Sequence, residues 1–152
     1  MIVNKWVIKH GMQMLLRISA FFARRPAFAG VSDALMRNLA RGTVRNKRIQ
    51  SASNLQELGD AWQRGFPSRK QVPIESVTLD TVFAQIHTPC PLAGTGDLVA
   101  CHRMMEYDRE VVRRAGGQFV VLQSQATPGI KHCRVAMRMQ SQRIDDLKHA
   151  HL

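Results

Sequence analysis

The hydrophobic periodicity of this 152-residue chain changes at Ile74, and this change most constrains the possible fold. Before Ile74, apolar residues recur at helical spacing. After it, ESVTLDTVFAQIHT alternates and is rich in β-branched residues, which is typical of strands. A helical stretch follows, and then the segments 118–125 and 132–139, which the turn at 127–129 joins as a hairpin. This order predicts an α+β fold in which basic N-terminal helices pack on a small antiparallel sheet with one long crossing helix.

The helical segments have recognisable boundaries. We predict helices over 5–22, 33–48 with Ser32 as N-cap, 54–64 with Ser53 as N-cap, and 97–115 with Asp97 or Thr95 as N-cap and Gly116 as terminator. Between Ile74 and Ile86 the alternation reverses, so this segment is either one strand with a bend near Asp80–Thr81 or two strands. The polar connector 68–73 is the expected boundary between two parts of the chain. It divides a basic helical segment, 1–67, from a cysteine-containing α+β domain, 74–139, which a polar tail, 140–152, follows.

Positive charge is concentrated at the N-terminal end. The formal net charge is +11, and residues 1–50 contribute +9 of it, since they hold ten Lys or Arg and the single acid Asp33. Such a field favours acidic partners. The basic cluster at 40–48 has no aromatic stacking residues beside it, which disfavours nucleic acid. We therefore expect an acidic partner protein or a membrane surface to bind through residues 5–48.

The helix over 5–22 has two competing functional interpretations, as an interfacial membrane helix and as a targeting segment. The structural interpretation is that its apolar side packs on the rest of the domain. That side comprises Val7, Met14, Leu15, Ile18, Phe21 and Phe22. The chain has no apolar run of membrane-spanning length, and its three cysteines are sparse, which argues against disulfides. We expect a cytoplasmic protein, peripheral to the membrane if this helix binds lipid.

The candidate site residues lie in the second half of the chain. All three cysteines fall there, as Cys90, Cys101 and Cys133. Helical spacing places Cys101 and Asp108 on one apolar stripe, where a carboxylate must be functional or satisfied by backbone donors or an arginine. Strand alternation turns Cys133 inward. The same alternation turns the adjacent His132 away from the core. Helical spacing likewise places His102 on a different side of its helix from Cys101. Neither pair of neighbours, Cys101–His102 or His132–Cys133, is therefore a plausible catalytic dyad.

Two kinds of cysteine chemistry are open to this set. Cys90 lies in a loop before a helix start and Cys101 in the first turns of that helix. Nearby amides could favour a thiolate at either, which makes each a candidate nucleophile, with Asp108 or a histidine handling protons. No cofactor is expected, because the spacings contain no CxxC pair. If zinc were bound, Cys90, Cys101 and Cys133 would be its ligands.

Three features resemble the L-2-amino-thiazoline-4-carboxylic acid hydrolase family. They are the Cys90–Pro91 pair, Cys101 followed seven residues later by Asp108, and the G-x-x-x-C hairpin at 129–133. The resemblance spans about 74–139 and implies a small-molecule hydrolase that opens a thiazoline ring with water. By position it makes Cys90, Cys101 and Asp108 catalytic. Cys133, Tyr107 and Thr95 would contact substrate or be structural. The Gly-rich loop AGTGD and the strand HCRVAMR depart from the family pattern.

Two alternatives belong to other functional classes. The G-x-x-x-C hairpin is also similar to sensor domains named after vinyl reductase, which implies a module that binds a small molecule or a metal. The basic N-terminal third equally suits a non-catalytic accessory subunit that docks on an acidic partner or a membrane.

Overall fold

The computed structural model describes residues 5–151 and has an α+β architecture, as the sequence predicted. The helices are α1 (Lys5–Ala23), α2 (Ala29–Asn46), α3 (Leu55–Arg64), α4 (Leu98–Met104) and α5 (Glu106–Arg114). The strands are β1 (Ile74–Val77), β2 (Val82–Ile86), β3 (Gly117–Gln123) and β4 (Cys133–Met139). No helix within 5–151 has the length and apolar character needed to cross a membrane.

The sheet has the order β1-β2-β4-β3, and every neighbouring pair is antiparallel. Ala136 of β4 therefore pairs with Phe83 on one side and Val120 on the other. β2 and β3 run in the same direction with β4 between them, so the helical segment that joins them must cross the sheet. The predicted hairpin of β3 and β4 is confirmed. The segment from Ile74 to Ile86 forms two strands, joined by a turn in which the Thr78 amide donates to the Thr81 carbonyl at 2.8 Å.

The crossing segment is not the single long helix that the spacing predicted. It divides at Met105, where ψ is 0°, into α4 and α5. Backbone hydrogen bonds still run through this residue, from Met105 N to Cys101 O and from Arg109 N to Met105 O, each 3.0 Å long. The interruption is therefore a local kink. Asp97 caps α4 as predicted, because its carboxylate accepts from the Ala100 amide at 2.9 Å.

Both serine N-caps were predicted wrongly. α2 begins at Ala29, directly after a 3-10 turn that opens with Pro26, and Ser32 is buried inside the helix. Proline suits the first position of a helical turn, so the chain re-enters helical geometry earlier than the serine suggested. At α3 the cap is Asn54, which accepts from the Glu57 amide at 2.9 Å. The Ser53 amide donates to the Glu57 carboxylate at 2.7 Å, which completes a reciprocal capping pair.

Helix α1 does not bury the side that its sequence pattern predicted. Met14, Ile18 and Phe21 are 67%, 46% and 53% exposed. The buried residues of α1 are small, Ser19, Ala20 and Ala23. Small side chains allow close approach of α1 to α2 and α4, which it contacts. The helix is thus apolar on two sides, and the domain covers the one that carries Ser19, Ala20 and Ala23.

Charged residues hold α2 on α5. Glu110 of α5 is 2% exposed, and its carboxylate accepts from the guanidinium groups of Arg41, Arg113 and Arg114 at 2.7–3.1 Å. Burial by itself would raise the pKa of Glu110, but the three cations outweigh it and lower the pKa to about 2. The tail is also tied down. Arg138 of β4 pairs with Asp146 at 2.6 Å, and the Ala150 amide donates to Val121 of β3 at 2.8 Å.

We predict that Gly117→Ala destabilises the protein by about 1–3 kcal/mol, because overpacking a filled core strains it. A Cβ on Gly117 would lie 2.7 Å from both Leu58 δ-methyl groups and 2.9 Å from the Arg138 carbonyl. Gly42→Ala is the control. A Cβ there meets nothing within 4 Å, and its position inside α2 predicts a gain of up to about 1 kcal/mol. Urea denaturation measures both, and equal stability of the two variants would contradict the packing described.

Candidate functional site

A cavity of about 200 Å³ lies between the N-terminal helices and the end of the sheet where α4 begins. Helices α1 and α2 form one wall, and α4, α5 and the loop 88–92 form the other. Its apolar lining includes Met12, Leu15, Leu16, Met36, Leu39, Phe66, Ile86, Leu92, Met104 and Met105. A concave, mainly apolar cavity with a few polar groups is the usual form of a small-molecule site.

The structure brings all three cysteines to this one cavity. The Cys101 sulfur lies 3.0 Å from the Ser124 hydroxyl. The Cys133 sulfur accepts from the Gln125 amide at 3.3 Å, and the Cys90 sulfur accepts from the Leu92 amide at 3.4 Å. The loop, the crossing helix and the hairpin thus converge on one site, although the three cysteines are far apart in the chain.

Burial keeps these thiols protonated. It raises the pKa of Cys101 to about 11 and that of Cys133 to about 12, and it also raises the pKa of Cys90. The hydrogen bonds from Leu92 and Gln125 favour the thiolate but are outweighed by desolvation. The expectation that helix-terminal amides favour a thiolate at Cys90 or Cys101 is therefore not met. At neutral pH the cavity presents thiols, which are weakly polar and poorly nucleophilic.

The cysteines are not arranged as a metal centre. Within residues 5–151, no group of three or more His, Cys, Asp or Glu side chains has an arrangement that could hold a metal ion. Cys90, Cys101 and Cys133 share the cavity, yet each sulfur has its own hydrogen-bond partner. The described residues therefore do not fit the zinc ligand set that the sequence suggested as an alternative.

Asp108 is a buried carboxylic acid in the cavity wall. It is 6% exposed, and its Oδ1 accepts from the indole Nε1 of Trp62 at 2.9 Å. Its side-chain donor is thus a tryptophan of α3, which the sequence did not suggest. Burial raises the pKa of Asp108 to about 6, since the Trp62 hydrogen bond, the charge of Arg109 and the Asp108 backbone amide compensate only part of the lost hydration. A carboxyl with this pKa can exchange a proton near neutral pH.

The hydroxyls of Tyr107 and Thr95 both make hydrogen bonds within the protein. The Tyr107 hydroxyl lies in the cavity wall, donates to the Gly65 carbonyl at 2.6 Å and lies 3.2 Å from the Thr43 hydroxyl. Burial raises its pKa to about 12, so it stays a neutral donor. Thr95 is outside the cavity lining, and its hydroxyl donates to the Leu92 carbonyl at 2.7 Å to close the loop before α4.

Sequence reasoning missed His151. Its Nε2 lies 3.2 Å from the Cys101 sulfur, and its Nδ1 lies 3.3 Å from Nδ1 of the exposed His102. Burial, with His102 and Arg109 nearby, lowers the pKa of His151 to about 4. The pair is thus a neutral thiol beside a neutral imidazole. Fifty positions separate the two residues, and no motif marked the histidine.

Two buried hydroxyls in the cavity wall have no hydrogen-bond partner within residues 5–151. They belong to Ser19, which is 1% exposed, and to Thr88. A buried hydroxyl without a partner costs about 1–3 kcal/mol. By contrast, Gln125 nearby donates to the carbonyls of Ile86 and Thr88 at 3.1 Å. The two free hydroxyls are therefore the groups best placed to bond a molecule in the cavity.

Comparison with known proteins identifies no relative of this chain. No family model, no curated protein and no solved structure matches the chain.

We predict that Asp108→Asn gains stability relative to the wild type as pH rises. The folded pKa of about 6 lies above the unfolded value of about 3.9, so ionisation of Asp108 costs the folded state stability as pH rises. This cost is about 0.5 kcal/mol at pH 4, grows mainly between pH 4 and 6 and levels off at roughly 3 kcal/mol by pH 7. Asparagine keeps the acceptor for Trp62 and does not titrate. Urea unfolding from pH 4 to 7 measures the difference, with the surface variant Asp60→Asn as control, and a pH-independent difference would contradict the prediction.

Proposed function

We propose that this protein binds a small, mainly apolar molecule in the cavity between α1, α2 and the α4–α5 segment. The observation that carries the proposal is the cavity itself, about 200 Å³ lined chiefly by aliphatic and methionine side chains. The cavity is partly open to solvent, and a concave, mainly apolar site with a few polar groups is the usual form of a small-molecule site.

The size and lining of the cavity restrict the ligand. An apolar cavity of about 150 Å³ holds a benzene ring. A volume of 200 Å³ therefore suits a single substituted ring or a short branched chain. The free hydroxyls of Ser19 and Thr88 supply hydrogen bonds, and Asp108 favours a ligand amine or other donor. A five-membered ring that carries an amino group, as in an aminothiazoline, has the right size and donor for this arrangement.

Hydrolysis in the same cavity is the second candidate function, and Asp108 favours it. With a pKa of about 6, its carboxylate is available at neutral pH to take a proton from water as the water oxygen attacks a ring carbon. The ring C–N or C–S bond then breaks, and the proton passes to the leaving nitrogen or sulfur. Protonated Cys101 and Cys90 would contact the substrate in this scheme, which does not use a thiolate nucleophile.

For the binding proposal, we expect single-ring ligands to raise the melting temperature in a concentration-dependent way. Toluene, indole and benzylamine are suitable probes. A ligand at about 100 times its dissociation constant stabilises the folded state by about 2.7 kcal/mol. For a chain of this length that corresponds to roughly 5–10 °C. Differential scanning fluorimetry measures the shift.

Two tryptophan variants locate the bound probe. Leu16→Trp fills the cavity from α1 and should remove the shift. Leu35→Trp places the same side chain on α2 outside the cavity lining and should retain it. Equal shifts in both variants, or no shift with any probe, would contradict binding in the cavity.

For the hydrolysis proposal, we expect 2-aminothiazoline-4-carboxylate to be opened at a rate that rises with pH and levels off above about pH 6, because the ionised form of Asp108 is the base. Asp108→Asn should lower kcat by at least about 100-fold, as for the loss of a general base. Release of the thiol product measures turnover. Cys101→Ser should retain activity if no thiolate attacks. Binding without turnover would leave only the first function.

A further inference from the structure

Helix α1 presents an apolar stripe that the described part of the chain does not cover. Val7, Met14, Ile18 and Phe21 are 52%, 67%, 46% and 53% exposed. Their spacings of seven, four and three residues place them along one side of the helix. The opposite side carries Leu16 and Ser19 into the cavity. The helix therefore has two apolar sides, and the domain covers one.

The stripe continues beyond the helix. Phe28, in the turn that follows α1, is 39% exposed. Phe22 connects it to the stripe, since its ring meets those of Phe21 and Phe28 edge-on at 5.6 and 5.5 Å. We name Val7, Met14, Ile18, Phe21 and Phe28 together the apolar patch. Large exposed residues grouped in this way mark an interaction surface.

Positive charge borders the apolar patch. Arg17, Arg24 and Arg25 are exposed, and the Arg25 guanidinium lies 3.6 Å from the centre of the Phe21 ring. Arg24 makes a contact of 3.4 Å with Asp97 and remains 55% exposed. Within residues 1–50, Asp33 is the single acid against ten basic residues. A partner for this surface must therefore combine an apolar layer with negative charge.

We propose that α1 binds the surface of an anionic lipid membrane, with the apolar patch inserted among the headgroups and its arginines on the lipid phosphates. Helices that lie in a membrane interface combine these two features. A second copy of the chain fits less well. It would bring two surfaces of the same strong positive charge together, and like charges oppose association. The proposal concerns the outer side of α1 and does not depend on a ligand in the cavity.

Vesicle co-sedimentation with the full-length chain tests the proposal. Vesicles of phosphatidylcholine with 30% phosphatidylglycerol should bind the protein at least about tenfold more tightly than pure phosphatidylcholine, since the negative surface potential attracts each arginine near it. Raising the salt from 50 to 500 mM should weaken binding by screening these charges. Equal binding to both vesicles, or binding to neither, would overturn the proposal.

Matched variants separate the apolar and the charged contributions. Ile18→Ser/Phe21→Ser should weaken binding to the anionic vesicles at least about tenfold, because two inserted side chains are lost. Val77→Ser/Leu79→Ser, which alters two exposed apolar residues on the β1–β2 hairpin, should bind as the wild type does. Equal loss in both double variants would overturn the assignment to α1.

The charge variants follow the same design. Arg17→Gln/Arg25→Gln should weaken binding roughly tenfold, whereas Arg69→Gln/Lys70→Gln removes the same net charge from the 3-10 turn before β1 and should have little effect. Analytical ultracentrifugation tests the competing possibility, that a second copy of the chain covers the apolar patch. A dimer that Ile18→Ser/Phe21→Ser dissociates, together with no vesicle binding, would show that the patch serves self-association and would overturn the proposal.

Discussion

The hydrogen bond between Asp108 and Trp62 is the interaction on which the site most depends. It joins α5 to α3 in a buried position, where the carboxyl is only 6% exposed. The Trp62 hydrogen bond, with smaller effects of Arg109 and the Asp108 backbone amide, does not replace the hydration of a carboxylate, so the pKa of Asp108 is raised to about 6. The same bond therefore anchors the indole in the core and leaves a titratable group in the cavity wall. The burial of Asp108 against Trp62 thus explains both the link between α5 and α3 and the raised pKa of the carboxyl.

The cavity exists because α1 and α2 close over the sheet-and-helix half of the chain. Met12, Leu15 and Leu16 from α1 face Met104 and Met105 from the crossing segment. The basic N-terminal third is therefore part of the site as well as a charged surface. The two proposed roles of this segment would use opposite sides of α1. Small buried residues, Ala20 and Ala23, let the helix approach the domain, while Met14, Ile18 and Phe21 remain exposed.

Burial also decides what the cysteines can do. A thiol close to backbone amides would ionise readily in a hydrated loop. In the cavity, desolvation is the stronger effect and raises the pKa of Cys101 to about 11, even though Ser124 donates or accepts at 3.0 Å. The cysteines consequently resemble small apolar residues with weak hydrogen-bonding capacity. This favours their role in lining a ligand site over a role as nucleophiles.

The sequence alone determined the fold class, the β3–β4 hairpin, the Asp97 cap and the uneven charge, because each depends on neighbouring residues and regular spacing. It also placed Asp108 on a buried stripe. Only the tertiary structure decided that Trp62 satisfies this carboxyl, that His151 meets Cys101 and that three distant cysteines share one cavity. Those contacts join residues far apart in the chain, and no local pattern encodes them. Packing also decided which side of α1 is exposed. The helical pattern pointed to the side with Met14, Ile18 and Phe21 as the buried one, and the structure covers the side with Ser19, Ala20 and Ala23 instead.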